Sequence, residues 1–336
     1  MNMQQWVVAQ PSEGRYSPRC FRLEEAPMGS PAVGQLFVQT KLLSLDPTHL
    51  NWVKVDPALQ YLPIGVGDAM IGTNIGIVLE SGHPDFSPGQ HIIGTWGWGR
   101  TAIADASMVR LALPESEMSF ENQLTIMSHV GQAAAGGMLK IGAVTSGDAV
   151  LVSGAAGATG SIAAQIAKAF GCRTVGIAGG PEKCRYLVEE LGLDGAIDYR
   201  AGGVEAAIAK HFPNGVDLFF DNVGGPTLDA VLANMAQRCR IVICGAIAQY
   251  DEAGMSNFGG IHRLPMLIFR QARMEGYVAS QFGEAENAEI LEHLLRLHQV
   301  GKLRVRTHIV SFEQIPDALT MLLDGRNEGK LIARVD

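Results

Sequence analysis

Long apolar runs are missing from this chain of 336 residues: none approaches the roughly 20 residues that a membrane-spanning helix needs. Also absent is any long basic run. With 26 Lys and Arg against 34 Asp and Glu, the net charge is −8, which argues against nucleic acid as the main partner. Cysteine is scarce, and Cys20, Cys172, Cys184, Cys239 and Cys244 form no Cys-x-x-Cys pair, so they read as reduced core thiols. The nine histidines form no His-x-x-x-His and no Cys/His cluster. No metal site is expected. The start, Met1 to Trp6, lacks a signal-peptide core, and a cytoplasmic enzyme is the plain expectation.

What is present is apolar substance, 47% of the residues, enough for one or two packed cores. One segment carries most of the information. Ala149 to Ser153 is an apolar strand, Gly154-Ala155-Ala156-Gly157-Ala158-Thr159-Gly160 a glycine-rich turn, and Ser161 to Phe170 a helix former. Strand, glycine turn and helix in that order make a dinucleotide-binding unit. The glycines permit a tight turn and close approach of backbone N–H groups to a pyrophosphate, which then faces the helix N-terminus. A merely structural turn is the competing reading, and the flanking strand and helix argue against it.

The second strand, Arg173 to Ala178, ends at Gly179-Gly180, where an NAD site would place an acidic residue on the ribose. The nearest acid, Glu182, opens the next helix and is followed by Lys183. Tyr199 follows the third strand, Gly195 to Asp198. Without a carboxylate the pocket does not repel a 2′-phosphate, a lysine supplies a point charge for it, and a tyrosine hydroxyl adds a hydrogen bond. NADP(H) is therefore expected as the cofactor, the alternative for Lys183 being a solvated place on the helix.

Residues 1 to about 120 hold short β-like runs such as Gln35 to Ser44, broken by Pro and Gly, and predict an antiparallel, barrel-like domain. Trp98 suits either core or rim. From about 121, strands alternate with helices, the pattern of a parallel sheet with crossovers. The expected strands are 149–153, 173–178, 195–198, 216–221, 240–244 and about 274–279, with helices at 181–192, 203–211, 226–236 and 285–300. After residue 301 come a strand (305–310), a helix (312–323) and a last strand (331–335) that returns to the first domain. The expected class is α/β, a Rossmann doubly wound parallel sheet (123–300) plus an antiparallel β-rich domain made of 1–122 and 301–336.

Over nearly its full length the chain resembles the zinc-independent medium-chain dehydrogenase/reductases of the prostaglandin and leukotriene reductase, plant alkenal double-bond reductase and bacterial curcumin reductase group. The resemblance is carried by Leu43-Ser44-Leu45-Asp46-Pro47, the turn Ser153 to Ser161, Gly180-Pro181-Glu182-Lys183, Ala196 to Tyr199, Phe220-Asp221-Asn222-Val223-Gly224-Gly225, Cys244 to Tyr250, Arg273-Met274-Glu275-Gly276 and Arg326 to Lys330. It implies that the β-rich domain of 1–122 and 301–336 is a GroES-like catalytic domain split between the two chain ends, and it implies the following site. Gly157, Ala158, Thr159 and Gly160 would bind the pyrophosphate, and Lys183 and Tyr199 the 2′-phosphate. Asn222 would face the ribose region. Cys244, Gly245, Ala246, Ile247 and Tyr250 would line the nicotinamide half, and Tyr277, Val278 and Ala279 the carboxamide. Asn327 would reach in from the returning segment. Asn222 and Asn327 could instead simply hold their local turns.

Three departures fall where the family's substrate is expected. The usual Tyr-Met-Arg after Asp-Pro is Thr48-His49-Leu50 here, followed by Asn51. Gly-Met-x-Gly-Leu-Thr-Ala-Tyr is replaced by Ser128 to Ala135, and a tyrosine of some members corresponds to Phe269. His49 and His129 could shape a pocket or relay a proton. The reaction implied is hydride transfer from NADPH to the β-carbon of an α,β-unsaturated ketone or aldehyde. Tyr250 is the catalytic candidate, as a donor to the enolate oxygen or only as a cofactor ligand. The rivals are an NADPH quinone oxidoreductase, a protein that holds NADPH without turnover and, with its metal ligands missing, a zinc alcohol dehydrogenase. A homodimer by pairing of sheet edges near 274–279 is implied by the same resemblance.

Overall fold

The computed structural model describes residues 2–27, 29–54, 64–113, 117–250 and 260–336. The chain forms two compact units, Met1–Ser128 with Thr307–Asp336, and His129–Arg306.

In the first unit β1 (Asn2–Val8) pairs antiparallel with β2 (Phe21–Pro27). The following strands are β3 (Gln35–Ser44), β4 (Ile71–Ser81), β5 (His91–Gly97), β6 (Thr101–Asp105) and β7 (Val109–Ala112). The second unit contributes β8 (Ala149–Val152), β9 (Arg173–Ala178), β10 (Gly195–Asp198), β11 (Val216–Asp221), β12 (Met235–Ile243) and β13 (Arg273–Gly276), and the chain ends with β14 (Thr307–Ser311) and β15 (Lys330–Arg334). The first unit's larger sheet has the order β14-β15-β3-β4-β5-β7, with β6 also on β3. Its return segment is built in: β15 runs antiparallel to β3, placing Ile332 opposite Ser44. Alternating apolar residues of β3, β4 and β5 make one core around Leu36, Val38, Val78, Ile92 and Trp96. A second core holds Leu45, Met70, Phe312 and Trp98, which is fully buried and therefore a core residue.

The second unit's sheet is wholly parallel, in the order β10-β9-β8-β11-β12-β13. This is the doubly wound Rossmann order, whose direction reverses between β8 and β11, where ligands bind beyond the carboxyl ends of the strands. Val150, Leu151 and Val152 are completely buried, as central parallel strands covered on both faces require.

Several expected boundaries move. The helix expected over 226–236 ends at Ala233, because Met235 already pairs with Val216 and packs in the sheet's core. Arg238, with φ of 63°, then bulges the strand so that Cys239 and Ile241 return to that core. The helix expected over 181–192 is a Pro181–Arg185 helix followed by a wider Tyr186–Glu190 turn, and the edge strand stops at Gly276. The units meet at 128/129 and 306/307 rather than at 122/123 and 300/301. Leu124 belongs to a core with Leu42, Ile75 and Ile332. At the other boundary, Arg304 exchanges backbone hydrogen bonds with the Gln165 amide, both 2.8 Å, and the Arg306 guanidinium lies 3.9 Å from the centre of the Tyr186 ring.

Candidate functional site

The glycine turn after β8 is held open by contacts that tolerate nothing larger. Gly154 has φ of 58°, in the left-handed region, and a side chain at Gly160 would collide with the Gly154 carbonyl. Gly157 sits immediately before the Ala158–Ala169 helix, and its carbonyl receives the Ser161 N–H at 3.0 Å. The sequence left Gly176 unremarked. A Cβ on it would stand 2.7 Å from the Ala155 methyl, so this bare position on β9 is what lets the turn settle onto the sheet.

Across the reversal of strand order, Asp221 ties the ends of β8 and β11 together. The Ser153 hydroxyl donates to its carboxylate at 2.6 Å, and the N–H groups of Val223 and Gly224 donate at 2.9 and 3.0 Å. Burial pushes its pKa up, while the Ser153 hydroxyl and these two N–H groups pull the other way. The Asn222 amide donates to the Ser153 carbonyl at 2.7 Å, so this side chain braces the same junction. The loop after β12 is laid along it: the N–H groups of Cys244 and Gly245 donate to the Asp221 carbonyl at 2.8 and 3.1 Å, and that of Ile247 to the Asn222 carbonyl at 3.3 Å. Tyr250 closes the loop on itself, its hydroxyl accepting from the Ala246 N–H at 3.3 Å.

The Tyr277 side chain is engaged inside the unit. Its hydroxyl donates to the Ala133 carbonyl and lies against Cys244, whose thiol is pushed up to about 11 by burial. Both groups stay protonated at neutral pH. Val278 is exposed beside it and Ala279 half-buried. In the first unit, the Asn327 amide donates to the Gly329 carbonyl at 2.9 Å, holding the turn before β15. His49 is buried; its Nδ1 accepts from the Asp46 N–H at 3.0 Å, and its ring stands edge-on to Trp52 and Trp98. His129 opens the His129–Gly136 helix of the second unit. Phe269 is 70% exposed on the Met266–Arg270 helix.

At the far end of the sheet, Lys183 lies half-buried on the helix after β9, and Tyr199 is 46% exposed just after β10. These strands are neighbours in parallel register, Ala178 opposite Asp198, which sets Tyr199 beside Gly179. The acid at this corner, Asp198, is turned to the backbone, its Oδ1 accepting from Gly180 N–H at 2.8 Å and Arg200 N–H at 2.9 Å.

Two family profiles match, one described as the N-terminal domain of oxidoreductase over residues 4–111, the other as zinc-binding dehydrogenase over 158–296. An "NADPH-dependent curcumin reductase" of Escherichia coli (strain K12) is 33% identical, covering 98% of this chain and 96% of its own. A "2-alkenal reductase (NADP(+)-dependent)" of Nicotiana tabacum is 32% identical over 93% of this chain and 89% of its own. The chain belongs to the zinc-independent medium-chain dehydrogenase/reductase family of alkenal, curcumin and prostaglandin reductases. A crystal structure of CurA from Vibrio vulnificus in complex with NADPH superposes with a TM-score of 0.91 at 33% identity, covering 99% of both chains. The name of the second profile notwithstanding, no group of three His, Cys, Asp or Glu gathers among the described residues as metal ligands would. Nor is any helix among them long and apolar enough to cross a membrane.

Proposed function

We propose that this family member is an NADPH-dependent reductase that adds hydride to the β-carbon of an α,β-unsaturated ketone or aldehyde, reducing its carbon–carbon double bond. One observation carries the coenzyme reading. β9 is followed by two glycines, so no carboxylate stands directly at its end, and the acid at the end of β10, Asp198, turns one oxygen to the N–H groups of Gly180 and Arg200. Relatives named NADPH-dependent and NADP(+)-dependent support it. The turn fits a pyrophosphate on its own evidence, since Gly154 and Gly160 leave bare backbone where side chains cannot stand.

When bound, the reduced nicotinamide supplies hydride, and the protein's task is positioning and charge stabilisation. Gly157, Ala158, Thr159 and Gly160 hold the pyrophosphate, and Lys183 and Tyr199 the 2′-phosphate. Asn222 and the loop Cys244, Gly245, Ala246 and Ile247 form the wall of the nicotinamide half, with Val278 and Ala279 at the carboxamide. For Tyr277 the hydroxyl serves packing, because it is already committed to Ala133. Hydride arriving at the β-carbon leaves negative charge on the carbonyl oxygen, and a phenol with pKa near 10 can donate to it at neutral pH. Tyr250 takes that role.

The protein is read further as a homodimer. Among the described residues β13 has a hydrogen-bonded neighbour on one side only, and Ile268 and Phe269 nearby are 76% and 70% exposed. Its five thiols, none in a disulfide, suit a cytoplasmic, reducing compartment.

The decisive experiment follows NADPH oxidation with a panel of enals, enones and quinones and identifies the products. Saturated carbonyl products from enals and enones support the reading; turnover with quinones alone, or binding of NADPH without turnover, overturns it. Tyr250→Phe should lower turnover at saturating coenzyme by about tenfold to a hundredfold. Unchanged turnover would reduce Tyr250 to a binding role.

A further inference from the structure

We infer that Arg200 is a second cation for the 2′-phosphate, aimed at it by Asp198 and by the bare α-carbon of Gly179; the inference rests on the coenzyme reading above. β9 and β10 run side by side, so the first residues past each strand lie together. A Cβ built on Gly179 would stand 2.8 Å from Cε1 of Tyr199, 2.9 Å from its hydroxyl and 3.0 Å from Nε of Arg200. Phenol and guanidinium therefore both lie over the α-carbon of Gly179. Conformational freedom does not account for this glycine, which is not among those with left-handed backbone. Close approach does.

The Asp198 carboxylate does the aiming. By accepting from the N–H groups of Gly180 and Arg200 with one oxygen, it clips the end of β10 to the turn after β9 and starts the short Tyr199–Ala201 turn. That turn leaves Arg200 exposed, its guanidinium 5.8 Å from the centre of the Tyr199 ring. Lys183 is carried by the helix that follows β9 and Arg200 by the turn that follows β10, with the Tyr199 hydroxyl over Gly179. The chemistry is complementary. A lysine is a point charge, whereas a guanidinium presents a planar fork of N–H donors that matches the oxygens of a phosphate monoester. Glu182, the other acid nearby in sequence, is exposed on the helix that carries Lys183. Coenzyme selectivity is thus divided between two strands, and Arg200 is the share that neither a glycine motif nor a strand-end carboxylate would disclose.

The test is calorimetric titration of the full-length protein with adenosine 2′,5′-bisphosphate and with 5′-AMP. Arg200→Gln should weaken the bisphosphate about tenfold or more while changing 5′-AMP less than about twofold, with Arg200→Lys recovering part of the loss. Arg200 is exposed, so the variants should keep the wild-type melting temperature. If Arg200→Gln leaves the bisphosphate unchanged, or weakens both ligands equally, the assignment is overturned. A wild-type protein that binds the two ligands equally would defeat the coenzyme reading itself. A wild-type preference abolished by Lys183→Ala but untouched by Arg200→Gln would defeat the Arg200 inference alone.

Discussion

Lys330 in the first unit and Lys183 in the second each follow a glycine turn beside a strand, yet one is fully buried and the other only half-buried. The Lys330 ammonium is buried at the start of β15 and donates to the Leu45 carbonyl at 2.7 Å, to the Leu331 carbonyl at 2.9 Å and to Asp46 Oδ1 at 3.0 Å. Its three donors have three acceptors. The other Asp46 oxygen takes the Ser44 hydroxyl at 2.5 Å, and the Asp46 N–H goes to His49, so the whole cluster closes inside the unit. Burial pulls the Lys330 pKa below its ordinary value, against the raising effect of Asp46. At the ends of β9 and β10 the arrangement is inverted: the acid Asp198 accepts from backbone N–H groups, while Tyr199 and Arg200 are exposed and Lys183 is half-buried. Buried charge held by internal partners ties the fold together, whereas exposed charge can be reached by an anion.

The contrast can be broken by substitution. Lys330→Met leaves the Asp46 carboxylate buried without its counter-ion and should cost about 3–5 kcal/mol of stability in denaturant unfolding. Coenzyme preference of the remaining folded protein should be unchanged; a loss of NADPH selectivity would erase the distinction drawn here. The converse is Lys183→Ala, which should move stability by no more than about 0.5 kcal/mol. It should raise the NADPH Michaelis constant about tenfold to a hundredfold and that of NADH far less. Equal changes for both coenzymes would place Lys183 among the structural lysines.

A third and smaller effect sharpens the comparison at a partly exposed pair. Burial raises the pKa of Asp194, but the Thr174 N–H at 2.7 Å, the Lys168 ammonium at 3.0 Å and Arg173 outweigh it and hold the carboxyl below its ordinary value. A carboxylate depressed on folding contributes stability that is present above its unfolded pKa of about 4 and is lost as pH falls through the folded value. Asp194→Asn should therefore cost less than about 1 kcal/mol at neutral pH and flatten the acid side of the stability profile. An unchanged acid limb would count against the pair.

The strands β8 to β11 could be read almost to the residue, because buried parallel strands are continuous apolar runs bounded by glycine or polar turns. Where the reading slipped, at Met235, helix-forming Leu232 and Ala233 lead directly into a strand, and only pairing with Val216 decides where one ends. The glycine turn was visible because it is local. Gly176 was not, since its reason is the Ala155 methyl across the sheet. Tyr277 stood on the expected list from resemblance alone, while the structure commits its hydroxyl to Ala133. His49, which the chain carries next to Asp-Pro, proved to be a buried ring packed between two tryptophans.

By itself, then, the order of residues determined the strand–turn–helix unit, the alternation that makes a parallel sheet and the absence of an acid immediately after β9, since each is a matter of neighbours along the chain. Only the tertiary structure decided that Asp198 would be spent on backbone donors, that Arg200 would lean over Gly179, and that Lys330 would be sealed against Asp46. The reason is the register of adjacent strands, which brings together residues far apart in sequence and fixes which polar groups are buried and which stand at the surface.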